Sequence, residues 1–532
     1  MRLLLPALLA AASPAEAQSP TRAGASEQDY VAGRRLVDAA IRATGDSAAL
    51  AALGTLTATF CARAVELGQS ARPDAPYDTI RAAGRRIYDL AGRRYAQEWS
   101  TEFRGGIPLA LHEVVTDSAA YSLDRRGGVP FTVAPSGLAA SLRRVEDNSP
   151  YAPLVLLDRA RRNATSIRIV HPAGSRSPNA VLFVDRATVT TLEIDPRTHL
   201  VVSAEALYDN WAVGLGTLRV EFLDYQRVGP VRLAARVRTS WQQGVLTDVV
   251  FAGVARTAAP PPEAFQPPSD SAHAVPIGGA LHISIDSVAP HVFAVRFGQT
   301  AGPNFGYNPP FAYAQLLVEL TDRLLLVDAP WSATVQQAVI DSVHRRFPAK
   351  PIALIAFTHY HSDHFGGLRA YLGGKTRFIT TPGNRRFIER VATASHPLDS
   401  PGPGAASDAA SRIETFTGTH SIADSAAPVD LHEVGGAHAD EMVIAWLPRQ
   451  HLLFTADLFG IFPEPGGPGG SYEAERALAR YVLGQGWKVE TVVSGHAAIV
   501  PGSVLGATLT QGSDTGRARQ MGVPACPPGQ RF

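Results

Sequence analysis

Thr358-His359-Tyr360-His361-Ser362-Asp363-His364 packs three histidines and one aspartate into six residues, directly after the apolar stretch 352–357. Imidazole and carboxylate are the ligands that zinc and related ions select. If the run turns off the end of a strand, His359 and His361 point to one metal. Asp363 and His364 then fall on the other side of the turn and reach a second. Gly366-Gly367 follows at once, which lets a helix over about 368–372 begin close to the metals.

Three later residues stand in matching contexts. His438 lies in Gly435-Gly436-Ala437-His438-Ala439-Asp440, just before the apolar run 442–447. Asp457 ends Leu452-Leu453-Phe454-Thr455-Ala456, and His496 follows Thr491-Val492-Val493 after Ser494-Gly495. Side chains at successive strand ends converge on one edge of a sheet, where open α/β architectures bind their ligands. A lone histidine after a strand is usually a capped or core residue. The ordered set behind H-x-H-x-D-H makes these three metal candidates.

Residues 280–501 resemble a metallo-β-lactamase-fold hydrolase. The match rests on H-x-H-x-D-H, Gly436-Ala437-His438, Asp457 in Phe454-Thr455-Ala456-Asp457, and Gly495-His496. Asp328, after Leu324-Leu325-Leu326-Val327, matches the family's buried structural aspartate. The resemblance implies a four-layer αβ/βα sandwich with two metals at one edge. By position His359, His361 and His438 hold the first metal; Asp363, His364 and His496 hold the second; Asp457 bridges them. A bridging aspartate is more similar to glyoxalase II and related hydrolases than to cysteine-ligated β-lactamases, and no cysteine lies near these residues.

Two cations about 3.5–4 Å apart share a bridging hydroxide and lower the pKa of water from 15.7 to about 7. Asp363, expected to be a ligand with one oxygen free, is the candidate catalytic residue that orients the hydroxide and relays its proton. No Ser-His-Asp order or G-x-S-x-G elbow offers a rival nucleophile. Asp328 and Asp440 are candidates for the layer behind the ligands, Asp440 equally so for a turn or cap.

The chain has 532 residues, enough for two or three domains. Hydrophobic residues make up 45% and charged residues 18%, an ordinary globular balance. The net charge is +1 and no long basic run appears, which argues against a nucleic-acid partner. Arg2, the apolar stretch 3–12 and Ala15-Glu16-Ala17 read as an export signal over 1–17. The apolar stretch is too short to span a membrane, so the mature chain is expected to lack an integral segment and to be periplasmic or secreted. Export permits a Cys61–Cys526 disulfide; two unpaired thiols fit the sequence equally.

The N-terminal part, 28–257, reads as an amphipathic helix over 29–43, a short helical piece over 47–53, then a long antiparallel meander. A more helical block, 135–162, interrupts the meander. That is an α+β domain, weakly similar to the lipoprotein-carrier-like half-barrels of exported bacterial proteins. Such a domain binds an apolar ligand in its concave face or serves as a docking spacer. The Pro-rich stretch 258–272 reads as a linker. The hydrolase domain spans 273–505, and 506–532 is a tail. Within it, 297–313 carries Phe305, Tyr307, Phe311 and Tyr313, either a flap over the metals or a loop packed on itself. Segments 397–410 and 463–470 are Gly/Pro-rich, the second beside the expected site mouth.

The expectation is therefore an α+β protein acting as an exported dinuclear zinc hydrolase of a small ester, thioester, lactone or lactam. Iron and manganese are alternatives to Zn2+. A phosphodiesterase or sulfatase on the same metal pair is a second reading, with Arg385 and Arg386 as candidate anion contacts. A non-catalytic carrier or sensor of a lipophilic ligand with a metal-stabilised scaffold is the third.

Overall fold

The computed structural model describes residues 23–65, 67–103, 107–124, 131–133, 135–170, 179–186, 188–210, 214–242, 244–257, 259–260, 262–266, 275–277, 280–299, 313–397, 409–460, 473–510 and 526. The expected export signal and most of the Pro-rich linker lie outside them. So do Phe305, Tyr307 and Phe311, most of 397–410 and all of 463–470.

The described residues form three sheets. The first has fourteen described strands; Thr55–Val65 and Gly244–Thr257 pair at its middle, and Val275–Ile277 and Arg168–Val170 form its two edges. Its neighbours pair antiparallel except for Val275–Ile277, which lies parallel to Phe131–Val133. The first sheet thus takes in residues beyond the expected linker. Helices Ala23–Thr44 and Ala152–Arg162 lie on one face of this sheet. Val37 and Ala40 of the first and Leu154, Leu157 and Ala160 of the second join Phe183, Leu192, Val231 and Leu233 in one core. The helical spacing in the sequence put these residues on one stripe, and the sheet covers it.

The second sheet has seven strands, from Leu281–Ala289 to Ile413–Thr415, and the third has six, from Thr419–Ile422 to Ile499–Pro501. Leu324–Val327 is central to the second sheet, parallel to Ile352–Ala356 and antiparallel to Tyr313–Glu319. A strand covered on both faces reads as an unbroken apolar run, which explains Leu-Leu-Leu-Val. Leu325 and Val327 face the third sheet, packing with Val443, Ala445 and Leu453. Leu324 and Leu326 face the opposite way, onto Val335, Val339 and Val343 of helix Ala333–Arg346. Helix Glu473–Gly484 covers the outer face of the third sheet through Ala474, Leu478 and Val482. The order helix, sheet, sheet, helix is the expected four-layer sandwich. Cys61 and Cys526 are joined by a disulfide that ties the tail back to the first sheet. Among the described residues no helix is long and apolar enough to cross a membrane.

Candidate metal centre

Strand Ile352–Ala356 ends one residue before Phe357, and the backbone then turns through Thr358, His359 and Tyr360. A single helical turn, Ser362–Phe365, starts inside the motif, and a 3-10 turn, Leu368–Tyr371, follows. The two glycines between them are required by close approach. A Cβ at Gly366 would sit 1.8 Å from the Trp331 carbonyl oxygen, and one at Gly367 would sit 2.0 Å from Gln336 Cγ.

The structure brings all seven candidate residues together. A ligand atom from each of His359, His361, His438 and Asp457 lies within 4.8 Å of the others, and the same holds for Asp363, His364, Asp457 and His496. Asp457 belongs to both groups and divides its oxygens between them. Its Oδ2 is 3.3 Å from His438 Nε2 and 3.9 Å from His359 Nε2. Its Oδ1 is 2.7 Å from His364 Nε2 and 3.1 Å from His496 Nε2. Asp363 Oδ2 completes the second group, 3.8 Å from His364 Nε2 and 3.9 Å from His496 Nε2.

The donor set fits a metal of the zinc type. His359 Nε2, His361 Nδ1 and His438 Nε2 are buried without a hydrogen-bond partner. Leaving a polar atom so placed is costly unless something binds it. On two of the candidate ligands the far ring nitrogen is held. His359 Nδ1 is 3.0 Å from Thr358 Oγ1, and His364 Nδ1 is 2.9 Å from Asp328 Oδ2. Holding one ring nitrogen fixes which one is left to face an ion.

Burial keeps His359 well below the ordinary imidazole pKa, and it brings His361 down to about 3. Burial opposes ionisation of His364 and Asp457 too, but there the charges win. The carboxylates of Asp457 and Asp363 raise His364 well above its ordinary value, while His364 and His496 hold Asp457 well below the carboxylate range. Neutral imidazoles beside an ionised carboxylate are the protonation state that ligation requires, and the proton on His364 is one that metal uptake releases.

Asp328 is fully buried and props the turn as expected. It accepts from Thr358 N and Thr358 Oγ1, both at 2.8 Å, besides His364 Nδ1. Its φ of 69° is in the left-handed region, a strained backbone of the kind that clusters at functional sites.

Two expectations are corrected, for Asp363 and Arg385, and the structure places Asp440, which the sequence left open. Asp363 does not keep an oxygen free: Oδ1 accepts from Gln69 Nε2 at 2.6 Å, because the N-terminal part reaches into the site. Asp440 is half-exposed and turned to Arg72 at 3.8 Å, since its backbone is held against that same N-terminal segment by Asp440 N–H donating to Ala71 O. Arg385 lies along its own helix, donating to Glu389 at 2.9 Å and to backbone carbonyls of Ala410 and Ile413.

Other residues had no sequence signal. The Ser70 carbonyl is 2.8 Å from His361 Nε2. Tyr313, expected in a flap over the metals or a loop packed on itself, opens strand Tyr313–Glu319, with its ring 4.9 Å from that of His496 and its hydroxyl 3.5 Å from Asp363 Oδ2.

Residues 309–496 match the family described as the Metallo-beta-lactamase superfamily. Among solved structures, a metallo-beta-lactamase from Pontibacter korlensis aligns at 17% identity, covering 43% of this chain and 98% of that one, with a TM-score of 0.33. The metallo-beta-lactamase FIM-1 from Pseudomonas aeruginosa in its mono-zinc form aligns at 16% identity over 46% and 97%, with a TM-score of 0.32. No curated protein matches the chain. Residues 309–496 are a metallo-beta-lactamase superfamily domain, the fold of metal-dependent hydrolases.

Proposed function

We propose that this protein is a dinuclear metal-dependent hydrolase, zinc-loaded, that cleaves a small ester, thioester, lactone or lactam. The observation that carries it is Asp457, whose two oxygens face two separate groups of ligand atoms. His359, His361 and His438 would hold the first ion, Asp363, His364 and His496 the second, with Asp457 between. Bound at such a pair, the ions polarise the scissile carbonyl and lower the pKa of water to about 7.

This chain's own residues do the positioning. Asp328 and Thr358 hold the ligand turn rigid from behind. Asp363 would serve as a ligand through Oδ2 while Gln69 engages Oδ1, and it orients the attacking water beside the second ligand group. Tyr313 stays protonated, pushed well above its ordinary pKa by burial and by Asp363 and Asp457, and its hydroxyl donates toward Asp363 Oδ2. Imidazole-rich ligation with carboxylates favours zinc over manganese or iron. The N-terminal export pattern and the Cys61–Cys526 disulfide both support an oxidising compartment, the periplasm or outside.

Turnover of nitrocefin, a lactone, a thioester and an aryl phosphodiester, each with and without prior chelation, tests this reading. Chelator-sensitive hydrolysis of one of the first three, restored by zinc, is expected. Turnover of the phosphodiester alone, or hydrolysis indifferent to chelation, contradicts it.

A further inference from the structure

The segment between strands Thr55–Val65 and Thr79–Asp89 of the N-terminal sheet crosses to the metal-binding turn. Gly68, Gln69 and Ser70 bond to four consecutive residues of the motif. Tyr360 OH donates to Ser70 O. His361 Nε2 lies 2.8 Å from the same oxygen. Ser362 N–H donates to Gly68 O at 2.8 Å. Gln69 Nε2 donates to Ser362 Oγ at 3.2 Å and to Asp363 Oδ1 at 2.6 Å.

A carbonyl oxygen can only accept, so His361 must carry its proton on Nε2, leaving the Nδ1 lone pair bare toward the first ligand group. The amide of Gln69 has the same effect on Asp363. It occupies Oδ1, so Oδ2 is the oxygen that faces His364 and His496. The segment is itself stiff. Ser70 is fully buried, its hydroxyl accepts from Asp78 N at 2.6 Å, and Asp78 Oδ2 accepts from Ala71 N at 2.7 Å. Arg390 anchors its far side, donating to Asp74 Oδ1 at 3.0 Å and Pro73 O at 2.9 Å.

We propose that the N-terminal sheet supplies the outer layer of the metal centre, with Gln69 as the positioning residue that turns Asp363 toward the second ion. The N-terminal part is then a component of the hydrolytic site and not a spacer. The inference rests on the two-metal reading above.

The test is a zinc titration of the metal-stripped full chain against a competing chelator, resolving the two binding steps, for the wild type and Gln69→Met. Methionine keeps the length of the side chain and removes the donor. Partners behind a metal ligand typically contribute about 10- to 100-fold in affinity. The variant is expected to lose about that factor at the second step only, because Ser70 acts through its backbone and still serves the first. Gln69→Ala repeats the measurement if the methionine chain does not fold. Wild-type affinity at the second step overturns the proposal, and so does an equal loss at both steps, which assigns Gln69 to packing alone. A wild-type chain that takes up a single zinc overturns the two-metal reading and this proposal with it, an outcome distinct from either variant result.

Discussion

Asp328 accepts from His364 Nδ1 at 2.9 Å with both side chains fully buried, and this contact joins the structural support of the turn to the second ligand group. Asp328 also holds Thr358 N and Thr358 Oγ1. Asp328→Ala leaves three buried donors without an acceptor, at about 1–3 kcal/mol each. Urea unfolding of the metal-free chain is expected to show a loss of at least about 3 kcal/mol. A loss below about 1 kcal/mol would show that the turn does not depend on this carboxylate.

The candidate ligands fall into two groups that share Asp457. His438→Ala removes a ligand of the first group only, so it is expected to halve bound metal in elemental analysis of the purified protein. Asp440→Ala, two residues on, removes a half-exposed partner of Arg72 and is expected to retain full metal. Exposed pairs of this kind contribute about 0–1 kcal/mol, so the loss of the Arg72 pair by itself should cost little stability. Metal loss on Asp440→Ala would restore the ligand-supporting role that the structure assigns elsewhere.

Acid sensitivity follows from the imidazoles. His361 is held neutral down to about pH 3 in the folded chain, whereas an unfolded histidine titrates near 6.5. Below 6.5 the unfolded state binds the extra proton, so stability falls as pH falls through the window from 6.5 toward 3. His359 acts in the same direction. His364, raised, acts oppositely: its contribution is present below pH 6.5 and is lost as pH rises through its folded value. Between pH 6.5 and 5 the His361 contribution is roughly 2 kcal/mol. Unfolding of the metal-free wild type should therefore weaken more on acidification than that of His361→Gln. Equal slopes would show that His361 titrates normally.

The sequence pointed to the candidate ligands that the structure brings together because metal chemistry limits the choice of residue. His359 to His364 are dense in ligands, and His438, Asp457 and His496 each stand beside a strand. Leu324–Val327 is apolar throughout, as a strand covered on both faces is. Gln69 and Ser70 were not legible. They lie about 290 residues before the motif, and an amide and a backbone carbonyl in a turn carry no metal-ligand signature. The full length of strand Thr79–Asp89 was hidden by Arg81, Arg85 and Arg86. Arg86, for example, is half-buried over the Phe60 ring at 4.2 Å and donates to Asn148 O, so a charged residue stands among apolar ones.

Tyr313→Phe removes only the hydroxyl that lies 3.5 Å from Asp363 Oδ2. A hydrogen bond that long contributes about 1 kcal/mol or less, so kcat should fall by no more than about fivefold, with bound metal unchanged. A steady-state comparison on the best substrate of the panel checks it. A loss beyond about a hundredfold would make Tyr313 a direct participant.

The central claim is a pair of ions sharing Asp457. Crystals of the zinc-loaded protein, measured at the zinc absorption edge, test it most directly. The account predicts two anomalous peaks about 3.5–4 Å apart, one on each side of the Asp457 carboxylate. A single peak, or a pair that does not contact Asp457, would contradict it.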